Sequence, residues 1–78
     1  MGLSKAAKKI LGNLIDQAET TVAESIRNRG GNASNVRHAG PWADRTLAET
    51  AEAAAHGDST AATAIKIVKQ AKRLGEEH

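Results

Sequence analysis

The chain has 78 residues, lacks cysteine, phenylalanine and tyrosine, and carries a formal net charge of +2. This length suits one domain, so we expect residues 1–78 to fold as a single unit. The lack of cysteine excludes a disulfide framework and thiol chemistry. No apolar run approaches the roughly 20 residues of a membrane-spanning helix. We therefore expect a cytoplasmic protein that makes no contact with a membrane.

Apolar residues make up 40% of the chain, and many of them are alanine. Burying a leucine or isoleucine contributes about 1.5–3 kcal/mol, whereas ordering the backbone costs about 1–2 kcal/mol per residue. Because alanine removes little surface from water, these opposing contributions are nearly equal. The composition therefore predicts a marginal monomer, and we expect a homo-oligomer.

The first predicted element is a long amphipathic helix over residues 4–27. Ser4 is a suitable N-cap. Large aliphatic residues then recur on one face with helical spacing, and charged residues occupy the opposite face. The aliphatic residues of this face are Leu3, Ile10, Leu11, Leu14, Ile15, Val22 and Ile26.

A glycine-rich loop is predicted over residues 28–40, because glycine and asparagine at this density end a helix. The next helix is predicted over residues 41–55, with Pro41 at its first position and Gly57 after its end. The last helix is predicted over residues 59–74, with Asp58 or Ser59 as its N-cap. No internal repeat is evident from this pattern.

The alanine-rich faces of the last two predicted helices favour a closely packed αα-hairpin, because only Gly57 and Asp58 separate them. The N-terminal helix is expected to lie across this hairpin. The predicted fold is therefore all-α: a small three-helix, alanine-rich bundle.

Three basic residues of the last predicted helix, Lys66, Lys69 and Arg73, lie within about 60° of one another on the helix surface. No acidic residue stands three or four positions away within residues 59–74. Such a stripe can follow the phosphates of a nucleic acid, although most charged stripes are simply solvated. If Asp16, Glu49 and Glu52 lie beside the stripe, a self-assembling protein is the better interpretation.

The glycine-rich loop carries Arg29 and Arg37 and is followed by Trp42. Arginine binds phosphate through two parallel hydrogen bonds, and tryptophan stacks on bases. The alternative is a surface linker whose arginines are solvated while Trp42 covers the edge of the core. Trp42 is the only aromatic residue, so the sequence leaves open whether it belongs to the core or contacts a partner.

Other functional classes are disfavoured. A helix-turn-helix motif requires apolar residues where Thr63 and Lys66 stand. The N-terminal helix has lysines but no aromatic residue for insertion into a membrane surface. The histidines lack metal-ligand spacing, and no nucleophile motif is present. We therefore expect no enzyme, no catalytic or metal-binding residue, no cofactor and no small-molecule substrate.

The sequence favours a small helical module that contacts nucleic acid through the basic stripe and the arginine- and glycine-containing loop. The alternative is a self-assembling structural or regulatory protein that binds copies of itself or another protein without nucleic acid. The residues expected to bind nucleic acid are Arg29, Arg37, Trp42, Lys66, Lys69 and Arg73.

Overall fold

The computed structural model describes residues 3–76, with the side chains of residues 3–71. About three-quarters of the described residues are helical and none lies in a strand, so the predicted all-helical character is confirmed. The described range has five α-helices and two short 3-10 segments, where three helices were expected. In chain order the α-helices are α1 (Lys5–Leu11), α2 (Val22–Asn28), α3 (Ala33–His38), α4 (Leu47–Ala55) and α5 (Ser59–Glu76).

The helix predicted over residues 4–27 is divided into α1, a 3-10 segment at Gly12–Gln17, and α2. Gly12 ends α1 with a φ of 54°, a value that other residues rarely adopt. A single straight helix could cover only one side of the α4–α5 hairpin. The break lets α1 pack on α4 while α2 packs on α5, so Leu11 and Ile26 are both buried.

A short internal repeat connects the two halves of the chain, contrary to the expectation that there is none. The first copy is Thr-Val-Ala-Glu-Ser at 21–25, and the second is Thr-Leu-Ala-Glu-Thr at 46–50. Each begins with a threonine that caps a helix, Thr21 for α2 and Thr46 for α4. The two threonines form an isolated antiparallel bridge.

The segment predicted as a glycine-rich loop over residues 28–40 contains α3. The side chains of Asn32 and Asn35 each accept a hydrogen bond from the other residue's backbone N–H, at 3.0 and 2.8 Å. This reciprocal cap satisfies two donors at the helix start. Asparagine therefore starts a helix here, although it was interpreted as part of a loop.

The C-terminal αα-hairpin is present with shifted bounds. Residues 40–44 form a 3-10 segment, and α4 starts after Thr46 because the Thr46 hydroxyl accepts the Glu49 N–H at 3.1 Å. The last helix, α5, continues to Glu76 and not to residue 74. Asp58 caps the N-terminus of α5 by accepting the N–H groups of Thr60 and Ala61.

The core lies between α5 and the other helices. Alanines let α4 and α5 approach closely, and a few large aliphatic side chains fill the space around them. The largest fully buried hydrophobic side chains are Leu11, Leu14, Val22, Ile26, Leu47 and Val68. Ile15 is the only large hydrophobic side chain among residues 3–71 that is exposed.

Candidate nucleic-acid interface

Basic side chains from two distant parts of the chain meet where α1 ends against α5. Lys9 of α1 stands beside Lys66 and Lys69 of α5 around an open groove of about 490 Å³. The floor is mostly apolar and is formed in part by Ile10 and Ile65. We call this surface the lysine groove; its lining residues are Lys9, Ile10, Ala54, Ala62, Thr63, Ile65, Lys66 and Lys69.

Helical spacing explains why these lysines lie together. Lys66 and Lys69 are three positions apart on α5, so they lie on neighbouring turns of one face. The packing of α1 on α4 brings Lys9 to the same side of the hairpin. The lysine groove therefore combines part of the predicted stripe with a residue of the N-terminal helix.

Lys69 also has a structural role. Its Nζ donates a hydrogen bond to the Ile10 carbonyl in the last turn of α1. Carbonyls at a helix C-terminus lack partners within the helix, and the end of the helix dipole there attracts a cation. Lys69 thus joins α5 to α1, and part of its hydrogen-bonding capacity is used within the fold.

The cationic groups of the lysine groove are not neutralised by carboxylates in the described structure. Among the side chains of residues 3–71, the one ion pair within 4.0 Å joins Arg45 to Glu49, at 3.2 Å. Glu52 instead accepts the Ser4 backbone N–H at 2.8 Å. Asp16 is exposed in the first 3-10 segment and forms no ion pair with a described side chain.

A second open groove, of about 690 Å³, contains the tryptophan and most of the nearby carboxylates. We call it the tryptophan groove; its lining residues are Pro41, Trp42, Arg45, Ala48, Glu49, Glu52, Asp58 and Thr60. Glu49 and Glu52 lie here and do not line the lysine groove. The lysine groove therefore has basic but no acidic lining residues, whereas the tryptophan groove has three carboxylates and Arg45, which pairs with Glu49.

Trp42 is half-buried and packs against the edge of the core. Its indole Nε1 donates to the Thr60 hydroxyl at 3.2 Å. The side chain therefore covers the core while one part of the ring borders the tryptophan groove. Trp42 therefore covers the edge of the core, as one interpretation expected, and its contact with a partner stays a prediction.

Hydrogen bonds lower the pKa of two carboxylates in the tryptophan groove, Asp58 and Glu52. Hydrogen bonds from the Thr60 hydroxyl and the Ala61 N–H lower the pKa of Asp58. The backbone N–H of Ser4 similarly lowers the pKa of Glu52. Trp42 lines the tryptophan groove and not the lysine groove.

The arginines of residues 28–40 have different surroundings. Arg29 is half-buried, and its Nε donates to the Val68 carbonyl at 3.1 Å, so this guanidinium joins α2 to α5. Arg37 is exposed on α3. The side chain of Arg73 lies outside the described side chains. Neither Arg29 nor Arg37 lines the lysine groove.

Lys9 is the member of the lysine groove that sequence reasoning did not select. From the sequence, the lysines of the N-terminal helix suggest only a membrane-binding face. Their distance in sequence from Lys66 gave no reason to combine them. The available signal was the lack of any acidic residue in both 5–11 and 59–71, because two helices without acidic residues produce one basic surface when both pack on the same neighbour, as α1 and α5 pack on α4.

Within residues 3–76, no helix has the length and apolar character needed to cross a bilayer. No group of three or more histidine, aspartate or glutamate side chains is arranged to hold a metal ion in the described structure. The chain matches no protein-family model, no curated protein and no solved structure in comparisons with all three.

Proposed function

We propose that this protein binds nucleic acid through the phosphate backbone, at the lysine groove. The binding module is the unit formed by α1, α4 and α5, the part of the fold closest to the predicted three-helix bundle. The observation that carries the proposal is the convergence of Lys9, Lys66 and Lys69 from two helices with no described carboxylate within ion-pairing distance. Lysine clusters of this kind displace counterions from nucleic acid, and that release drives binding.

Backbone contact is favoured over base recognition. The lysine groove has no aromatic side chain for stacking, and Trp42 lies on the surface that carries Glu49, Glu52 and Asp58. Lysine is a compact point charge that suits phosphate oxygens without selecting a base. We therefore expect binding that depends weakly on sequence and strongly on salt.

The self-assembling alternative receives less support from the core. The radius of gyration is 11.3 Å, close to the roughly 11.5 Å of a compact domain of this length. Only Ile15 exposes a large hydrophobic side chain within residues 3–71. A second copy is therefore not needed to cover the core, and association would have to use polar surfaces.

The test compares two double variants that remove the same charge from different places. Lys9→Ala with Lys66→Ala removes two of the three lysines of the lysine groove. It keeps Lys69, whose hydrogen bond to Ile10 supports the fold. Arg27→Ala with Arg37→Ala is the matched control, because both arginines are exposed and lie outside the groove. Fluorescence anisotropy with labelled RNA and duplex DNA at low salt measures the affinity.

The lysine variant should bind roughly ten-fold more weakly for each lysine removed, since each phosphate contact releases about 0.9 counterion. The arginine control should bind as the parent does. Equal affinity of the lysine variant and the parent, or no binding by the parent at low salt, contradicts the proposal. A loss confined to the arginine control would place the interface near α3.

A further inference from the structure

The two grooves are lined by opposite sides of α4. On α4, the tryptophan groove is lined by Ala48, Glu49 and Glu52, whereas the lysine groove is lined by Ala54. At about 100° per residue, Ala54 lies between 120° and 160° around the helix from each of those three. One molecule can therefore present both surfaces at once to two different neighbours.

The grooves are also complementary in charge and similar in apolar character. Ammonium groups surround the first, and the second carries the carboxylates of Glu49, Glu52 and Asp58 against the single guanidinium of Arg45, so it has an excess of negative charge. Both have partly apolar linings, supplied by Ile10 and Ile65 in one and by Pro41 and Trp42 in the other. Matched potentials of opposite sign steer two surfaces together and fix their orientation.

We propose that the tryptophan groove is a docking site for the lysine-bearing face of a second copy of this chain. In this arrangement the methylene stems of Lys9 and Lys66 lie along the accessible edge of Trp42. Their ammonium groups then reach the carboxylates of Glu49 and Glu52. Lysine buries its stem while its charge stays near water.

The geometry dictates the form of the assembly. The two surfaces differ, so each copy uses its lysine groove on one neighbour and its tryptophan groove on the other. This is a heterologous contact. Such contacts build rings or open chains, not a dimer with twofold symmetry. The association should be weak and salt-sensitive, since its ion pairs lie at the surface. It does not depend on nucleic-acid binding.

Charge reversal in two complementary variants tests the contact. Lys9→Glu with Lys66→Glu makes both surfaces acidic, and Glu49→Lys with Glu52→Lys makes both basic. Sedimentation velocity on nucleic-acid-free protein at low salt measures mass as concentration rises. The parent should grow beyond a dimer, each variant alone should stay monomeric, and an equimolar mixture should form at least a heterodimer, through the intact tryptophan groove of one variant and the intact lysine groove of the other.

Circular dichroism of each variant serves as the control for folding. If Glu52→Lys unfolds the chain because Ser4 loses its acceptor, Glu49→Lys alone replaces it. The single tryptophan gives a second readout: its emission should shift to shorter wavelength on mixing folded variants. A parent that stays monomeric, a reversed variant that associates as the parent does, or a mixture of folded variants that stays monomeric overturns the proposal.

Discussion

At the residue scale, Lys69 shows why charge alone does not identify a binding residue. Its ammonium group bonds to the Ile10 carbonyl at the end of α1, while its neighbour Lys66 is exposed with no described partner. Arg29 has a similar structural role through Val68. Removing Lys69 or Arg29 would therefore alter stability together with binding, so neither is a clean probe of the interface.

Gly31 provides a sharp test of the packing between α2 and α3. A Cβ added there meets the Ile26 side chain, the Ile26 carbonyl at 3.0 Å and the Asn35 amide oxygen at 3.1 Å. All three contacts are with Ile26 and Asn35, which are buried and closely packed. Gly31→Ala should therefore lower the free energy of unfolding by about 1–3 kcal/mol. Urea denaturation followed by circular dichroism measures this, and an unchanged midpoint would contradict the close approach.

Among the helices, the two copies of the short repeat bring the start of α2 next to the start of α4. The N–H of Val22 donates to the Arg45 carbonyl at 2.8 Å, and the N–H of Leu47 donates to the Thr20 carbonyl at 2.9 Å. The first amides of an α-helix normally lack a protein partner. Here the residue before the capping threonine of each helix supplies the acceptor for the other helix, which holds the starts of α2 and α4 together.

This pairing predicts an unusual hydrogen-exchange pattern. The amides of Val22 and Leu47 should exchange slowly, because their bonds break only when α2 and α4 separate. The first amide of α3, at Ala33, is the control: it has no backbone acceptor in the described structure and should exchange quickly. Exchange followed by nuclear magnetic resonance resolves the three sites. Fast exchange at Val22 and Leu47 would show that the bridge does not form.

The sequence is sufficient to predict the all-helical fold class and the C-terminal hairpin. It also predicts the helix caps at Ser4 and Asp58. The division of the N-terminal helix was not predicted, although signals existed. Thr21 and Glu24 form a Thr-x-x-Glu pattern that marks a helix start, and Gly12 permits a left-handed turn. The continuous apolar face masked both, because a face that suits one long helix also suits two short helices on different sides of a core.

The candidate site was predicted in part. Lys66 and Lys69 share a face because helical spacing alone decides it. The separation of Trp42 from those lysines depends on the packing of the second 3-10 segment against α5, and local pattern does not encode that contact. Lys9 joined the site for the same reason, through the packing of α1 across the hairpin.

At the scale of the whole molecule, a net charge of only +2 conceals a strong separation of charge. Residues 5–11 of α1 and 59–71 of α5 carry no acidic residue, and α4 carries no basic lysine or arginine. The helices α1 and α5 therefore contribute positive charge to the surface, and α4 contributes negative charge. Local potential, and not net charge, decides where a polyanion binds.

The proposed contact between the lysine groove and phosphates predicts a specific salt dependence of nucleic-acid binding. The slope of log affinity against log salt counts those contacts, at about 0.9 per contact on duplex DNA. We predict that Lys9→Ala with Lys66→Ala reduces the parent slope by about 1.8, whereas Arg27→Ala with Arg37→Ala leaves it unchanged. A lysine variant whose slope equals that of the parent would contradict the account.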